Sequence, residues 1–181
     1  MEAQFNLPDT TYAFLSSLVA DYVGPSDSPD AIDLTRAFDS LDIDWIGNAY
    51  TALRECVRRN GRVFVIGNGG SFDNARLIGN QLTRVGVSAC VPGDNRLYRS
   101  QSAAPGGFES IFVTALDSEE MSKSDLLFCI SGSGNSENIL RAIEFAHRRN
   151  VTVFGLGGRD GGEMRNRIGE GNTLLAVTEC M

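Results

Sequence analysis

The spacing of apolar positions changes character near residue 60. Between Tyr12 and Val23 apolar residues recur at helical spacing, and the pattern stops at the breaker cluster Gly24-Pro-Ser-Asp-Ser-Pro29. A second helical pattern, from about Ile43 to Arg59, brings Ile43, Trp45, Ile46, Tyr50, Leu53 and Val57 onto one broad face and ends at Asn60-Gly61. The only tryptophan lies on that face, which points to packing between helices or between subunits.

From Arg62 the pattern becomes short, continuous apolar runs separated by glycine-rich turns and helices. Val63–Ile66 reads as a strand, followed by Gly67–Ser71 and a helix through about Leu82. Val87–Val91 is a second strand and Leu126–Ile130 a third, followed by Ser131–Ser136 and a helix over Glu137–Arg149. Val151–Leu156 is a fourth, then Gly157–Gly162 and a short helix, and Thr173–Val177 is a fifth. Unbroken apolar strands alternating with helices predict a parallel sheet covered on both faces. The expected fold is therefore a doubly wound, five-stranded parallel α/β domain over residues 61–181, with an N-terminal helical extension over residues 1–60.

Composition narrows the classes. In 181 residues, 42% are hydrophobic and 22% charged, which is ordinary globular usage and excludes collagen, disorder and disulfide scaffolds. Sixteen basic against 23 acidic side chains leave a net charge of −7, an unsuitable surface for direct nucleic-acid binding. Cys56, Cys90, Cys129 and Cys180 are far apart and His147 is the only histidine, so short-spaced zinc ligands are absent. Thiols of this kind read as small buried hydrophobes in a reducing compartment. Met1–Pro8 lacks the basic and apolar regions of a signal peptide, and no apolar run approaches a membrane span. These features predict a cytoplasmic protein without a membrane segment.

Two strands end in small, hydroxyl-rich loops that open helices. In such sheets ligands bind beyond the carboxyl ends of the strands, where the strand order reverses. Ser131-Gly-Ser-Gly-Asn-Ser136 offers glycines for close approach, hydroxyl donors and a helix N-terminus, a combination suited to a phosphate dianion. Helix capping is the alternative role for Ser133 and Ser136. Gly67–Ser71 lacks the lysine of a P-loop, and Phe72 and Glu137 stand where a dinucleotide fingerprint needs its third glycine. A phosphorylated small molecule is thus favoured over a nucleotide.

Gly67-Asn-Gly-Gly-Ser71, Ile130-Ser-Gly-Ser-Gly-Asn-Ser136 and Gly157-Gly-Arg-Asp-Gly-Gly-Glu-Met164 resemble, in order and spacing, the motifs of the sugar-isomerase (SIS) domain. More narrowly they resemble those of the phosphoheptose isomerases, which interconvert sedoheptulose 7-phosphate and a heptose 7-phosphate. The resemblance runs from about Asp42 to Met181. It implies a flavodoxin-like sheet and a homotetramer built on the N-terminal helices, with sites formed between subunits. It implies phosphate binding at Ser131, Ser133 and Ser136, with Gly132, Gly134 and Asn135 in the same loop, and sugar binding at Asn68, Gly69, Gly70 and Ser71. Gln81 is a further candidate substrate contact.

The departures bear on catalysis. The family carries a metal-binding histidine and, four residues on, an acidic residue that binds metal and acts as base; Leu77 and Gln81 occupy those positions. The family's Asn-Asp pair falls near Ala104-Pro105, in the divergent segment Pro92–Gly107. Its last helix, with a Gln and a His of the metal and catalytic set, lies beyond Met181. No metal and no cofactor are therefore expected.

Moving a proton between adjacent carbons needs a base. The carboxylates available are Asp73 and Glu137, each directly after a loop, with Glu109 and Glu163 behind them. The alternative for a carboxylate in a first helical turn is interaction with the helix dipole. His147 lies at the wrong end of its helix. Arg96 and Arg99 could reach a phosphate or face solvent. The expected function is an aldose–ketose isomerase acting on a seven- or eight-carbon sugar phosphate; the alternative is a non-catalytic SIS protein that binds a phosphosugar or a protein partner for regulation.

Overall fold

Val63-Phe-Val-Ile-Gly67 is buried at every position, as a strand must be when helices cover both faces of its sheet. The computed structural model describes residues 43–93 and 106–176, all within a unit spanning Asp42–Ala176. The elements are α1 (Ile43–Arg58), β1 (Val63–Gly67), α2 (Gly70–Arg84), β2 (Ala89–Cys90), a 3-10 turn at Phe108–Ser110, α3 (Ile111–Ser118), β3 (Leu126–Ser131), α4 (Glu137–Arg148), β4 (Thr152–Gly158), α5 (Gly162–Ile168), a 3-10 turn at Glu170–Asn172 and β5 (Thr173–Ala176). The predicted helix at Tyr12–Val23, Arg96, Arg99, Ala104-Pro105 and Cys180 lie outside the described residues.

The strands are parallel in the order β2-β1-β3-β4-β5. Register sets Val63 beside Leu126 and Gly67 beside Ile130, so the loops leaving β1 and β3 emerge side by side. Strand alternation divides the core between two layers. Phe64, Ile66, Leu127 and Cys129 pack with α3, α4 and Met164 of α5. Val63, Val65, Leu126 and Ile130 pack with Trp45 and Cys56 of α1 and with Ala75 of α2. Each fully buried large side chain contributes about 1.5–3 kcal/mol.

The broad apolar face of α1 divides in the structure. Trp45 is buried and stands edge-on to Phe128 and Phe154, with centroids 6.0 and 5.8 Å away, so it packs helix against sheet. Tyr50 and Val57 on the same helix remain exposed.

Periodicity did not mark α3, an eight-residue helix. Asp125, buried just before β3, accepts the Arg62 amide at 2.8 Å and the Ser122 amide at 2.7 Å, joining the entries to β1 and β3. Cys56, Cys90 and Cys129 are free thiols, and burial pushes the pKa of each upward, most strongly at Cys129. No helix of the described residues is long and apolar enough to cross a membrane.

Candidate functional site

The chain steps from β1 outward to β2 and then returns past β1 to β3. The crevice between the carboxyl ends of β1 and β3 is therefore the topological switch point, where ligands bind in open α/β sheets. The loops Gly67–Ser71 and Ser131–Ser136 stand on its two sides.

Glycine is required in the first loop for two reasons. A side chain at Gly67 would put Cβ 2.6 Å from the Ser71 carbonyl oxygen, and Gly69 adopts φ 52°. Gly69 and Gly70 face open space, with nothing within 4 Å of where a Cβ would lie. No side chain caps α2; the Ser71 and Phe72 amides bond instead to the Asn68 and Gly69 carbonyls, both at 2.9 Å.

In the second loop the three serines have different roles. Ser131 is buried and its Oγ accepts the Gly134 amide at 3.1 Å, bracing the turn. The Oγ of Ser133 accepts the Asn135 amide at 3.2 Å. Ser136 occupies the N-cap position of α4, yet its side chain makes no capping hydrogen bond. Gly132 is open to its surroundings. The arrangement presents hydroxyls and helix N-terminal N–H groups on one side of the crevice.

The β4–α5 turn clamps this loop from the far side. Gly134, at φ 66°, lies so near Gly161 that an added Cβ would sit 1.9 Å from its carbonyl oxygen. The Met164 amide donates to the Gly134 carbonyl at 2.8 Å, and the Glu163 amide donates to Asn135 Oδ1 at 3.0 Å. Asn135 Nδ2 donates to the Ser133 carbonyl at 3.0 Å. With these atoms engaged, Asn135 holds the loop in shape. The crevice side is fixed by another pair: Asn68 and Asn138 exchange side-chain amide hydrogen bonds, both at 2.9 Å. Asn138 was absent from the sequence candidates; a polar residue on the inward face of α4 was the available signal.

The acidic candidates differ in their partners. Glu137 accepts from Arg141 at 2.8 Å, and Arg141 also pairs with Glu109. Glu163 accepts from Asn166 and Arg167, which hold its carboxyl below the usual carboxylate range. Asp73 is exposed in the first turn of α2, and no ion pair engages it among the described residues. His147 is exposed in the last turn of α4, at the far end from the crevice.

Leu77 is 58% exposed on α2, and Gln81, also exposed, follows one turn later. An aliphatic side chain offers no donor atom and an amide is a weak one. These residues do not fit the metal that the resemblance to the phosphoheptose isomerases implies. No group of three His, Cys, Asp or Glu side chains among the described residues could hold a metal ion.

Comparison with known proteins identifies the family of the chain. The SIS domain family signature matches residues 30–158. The chain belongs to the SIS-domain family. A phosphoheptose isomerase from Helicobacter pylori strain Shi470 is 34% identical to this SIS-domain chain over 138 residues, covering 73% of it and 71% of the relative. The structure of a phosphoheptose isomerase from Francisella tularensis superposes with a TM-score of 0.70 at 25% identity, covering 99% of this chain and 88% of that one. A phosphoheptose isomerase structure from Neisseria gonorrhoeae gives a TM-score of 0.69 at 24% identity, covering 95% and 86%, and shows the same fold.

Proposed function

We propose that this SIS-domain protein is an aldose–ketose isomerase of the sedoheptulose 7-phosphate type, acting on a seven- or eight-carbon sugar phosphate. The observation that carries the reading is the pairing of two open, glycine-rich helix N-termini across the switch point, one bearing the hydroxyls of Ser133 and Ser136. The naming of the Helicobacter pylori relative as a phosphoheptose isomerase supports it.

In this reading the phosphate takes the amides at the start of α4 and the Ser133 and Ser136 hydroxyls. Ser131 and Asn135 keep that loop in place, while Gly132 and Gly134 give it its path. The sugar extends towards Asn68, Gly69, Gly70 and Ser71, with Gln81 further along α2 as a polar contact. Isomerisation removes a proton from one carbon and returns it to its neighbour through an enediol. Asp73 is the stronger base candidate, because Glu137 is held by Arg141. The α2 positions Leu77 and Gln81 supply neither a base nor metal ligands, so no step runs through a metal.

A homo-oligomer, in the family's case a tetramer, is part of the proposal. Its support is the exposed pair Tyr50 and Val57 on α1, which with the half-buried Leu53 and with Arg54, Arg58 and Val87 line a groove of about 620 Å³. A cytoplasmic location is supported by the free cysteines.

The deciding experiment incubates the protein with sedoheptulose 7-phosphate in deuterium oxide and follows the C1 proton by NMR. Exchange is expected. Tight binding of the sugar without exchange would overturn catalysis in favour of the regulatory binder, the reading that Leu77 and Gln81 favour.

A further inference from the structure

We infer that Asn138 is a positioning residue: through Asn68 it sets the separation between the sugar-side loop on β1 and the phosphate-side loop on β3. This rests on, and deepens, the proposed isomerase reading. Asn138 is 1% exposed on α4, so it cannot itself touch a ligand in the crevice. Its Oδ1 accepts from Asn68 Nδ2 at 2.9 Å and from the Ile139 amide at 3.0 Å, while its Nδ2 donates to Asn68 Oδ1 at 2.9 Å.

Asn68 is half-buried and directly precedes Gly69 and Gly70. These glycines pack against nothing within 4 Å of a built Cβ. Their placement therefore depends on what precedes and follows them. Behind them, the Ser71 and Phe72 amides return to the Asn68 and Gly69 carbonyls, both at 2.9 Å. The tie from this turn to the second loop's helix is the reciprocal amide pair, spanning 70 residues of sequence. A buried amide with no other route to solvent is costly to leave unpaired, which makes the pair an all-or-none latch.

The test compares wild type, Asn138→Leu, Asn138→Asp, Asn68→Ala and Asn68→Ala combined with Asn138→Leu. Hydrogen–deuterium exchange is read on the ligand-free proteins. Loss of the two bonds in Asn138→Leu should speed exchange at residues 69–72 about tenfold, with a smaller rise in Asn138→Asp, which keeps an acceptor for Asn68. With sedoheptulose 7-phosphate as probe, Asn138→Leu should weaken binding about tenfold while inorganic phosphate binds within about twofold of wild type. The double variant should be no worse than Asn68→Ala alone, because Asn138 acts through Asn68.

Unchanged exchange at residues 69–72 in both Asn138 variants would overturn the inference. So would equal losses for the two probes, or additive effects in the double variant. Faster exchange at residues 69–72 in a protein that leaves the sugar's proton untouched would uphold the latch and defeat the isomerase reading alone.

Discussion

The backbone amide of Glu163 donates to Oδ1 of Asn135 across 28 residues of sequence, at 3.0 Å. This bond fastens the start of α5 to the loop that opens α4. The shape of the Ser131–Ser136 loop is thus held partly by the glycine-rich turn after the neighbouring strand. Replacing Asn135 by Ala removes this bond and the one to the Ser133 carbonyl. The expected cost is about 1–3 kcal/mol of stability, together with weaker sedoheptulose 7-phosphate binding. Urea denaturation and calorimetric titration read the two effects. An unchanged denaturation midpoint would show that the bond does not brace the loop.

Two glycines in that loop should respond in opposite ways. Gly134→Ala drives a methyl into the Gly161 carbonyl from a left-handed backbone position and should destabilise by about 3 kcal/mol or more. Gly132→Ala meets nothing within 4 Å and should cost less than about 1 kcal/mol of stability, while obstructing approach of the ligand. Equal melting temperatures for the two variants would contradict the packing described.

Ser133→Ala combined with Ser136→Ala should weaken sedoheptulose 7-phosphate binding by about two orders of magnitude, since hydrogen bonds to charged groups contribute about 1.5–3 kcal/mol each. Ser136 makes no cap bond and Ser133 is exposed, so the fold should tolerate both changes. Affinity for the unphosphorylated sugar should not change. A double variant that binds the phosphorylated sugar as wild type does would remove this loop from the site.

On α1, Glu55 is held down to a pKa of about 2, first by its hydrogen bonds from Arg58 and then by those from Arg59. A carboxyl depressed below its unfolded value of 4.5 contributes stability that is full above that value and is lost as pH falls towards about 2. Glu55→Gln should therefore lower the melting temperature slightly at neutral pH and flatten its decline in acid. Parallel melting curves for variant and wild type between neutral pH and pH 2 would show that the pair contributes nothing; its exposure keeps the effect small.

Trp45, the only tryptophan, should emit at short wavelength in the native protein and shift to the red on unfolding, because Phe128 and Phe154 enclose it edge-on. Trp45→Ala should cost about 3–5 kcal/mol. Native emission already at the solvent-exposed wavelength would mean that α1 does not pack on the sheet.

The sequence alone determined the parallel α/β architecture. Continuous apolar runs such as Val63–Ile66 and Leu126–Ile130 can be buried only between two helical layers, and the glycine-rich segments mark where strands give way to helices. The phosphate-suited loop was legible for the same reason: glycines, hydroxyls and a helix start form a local combination. Contacts between residues distant in the chain were decided only by the tertiary structure. The sequence could not show that Asn138 meets Asn68, or that Asn135 accepts the Glu163 amide. Nor could it show that Arg141, one turn along α4 from Glu137, also reaches Glu109 while Asp73 forms no ion pair among the described residues. The two asparagine contacts depend on strand order: only when β3 lies beside β1, with β4 on its other side, can the segment from Ser131 to Asn138 bond to Asn68 on one side and to the turn before α5 on the other.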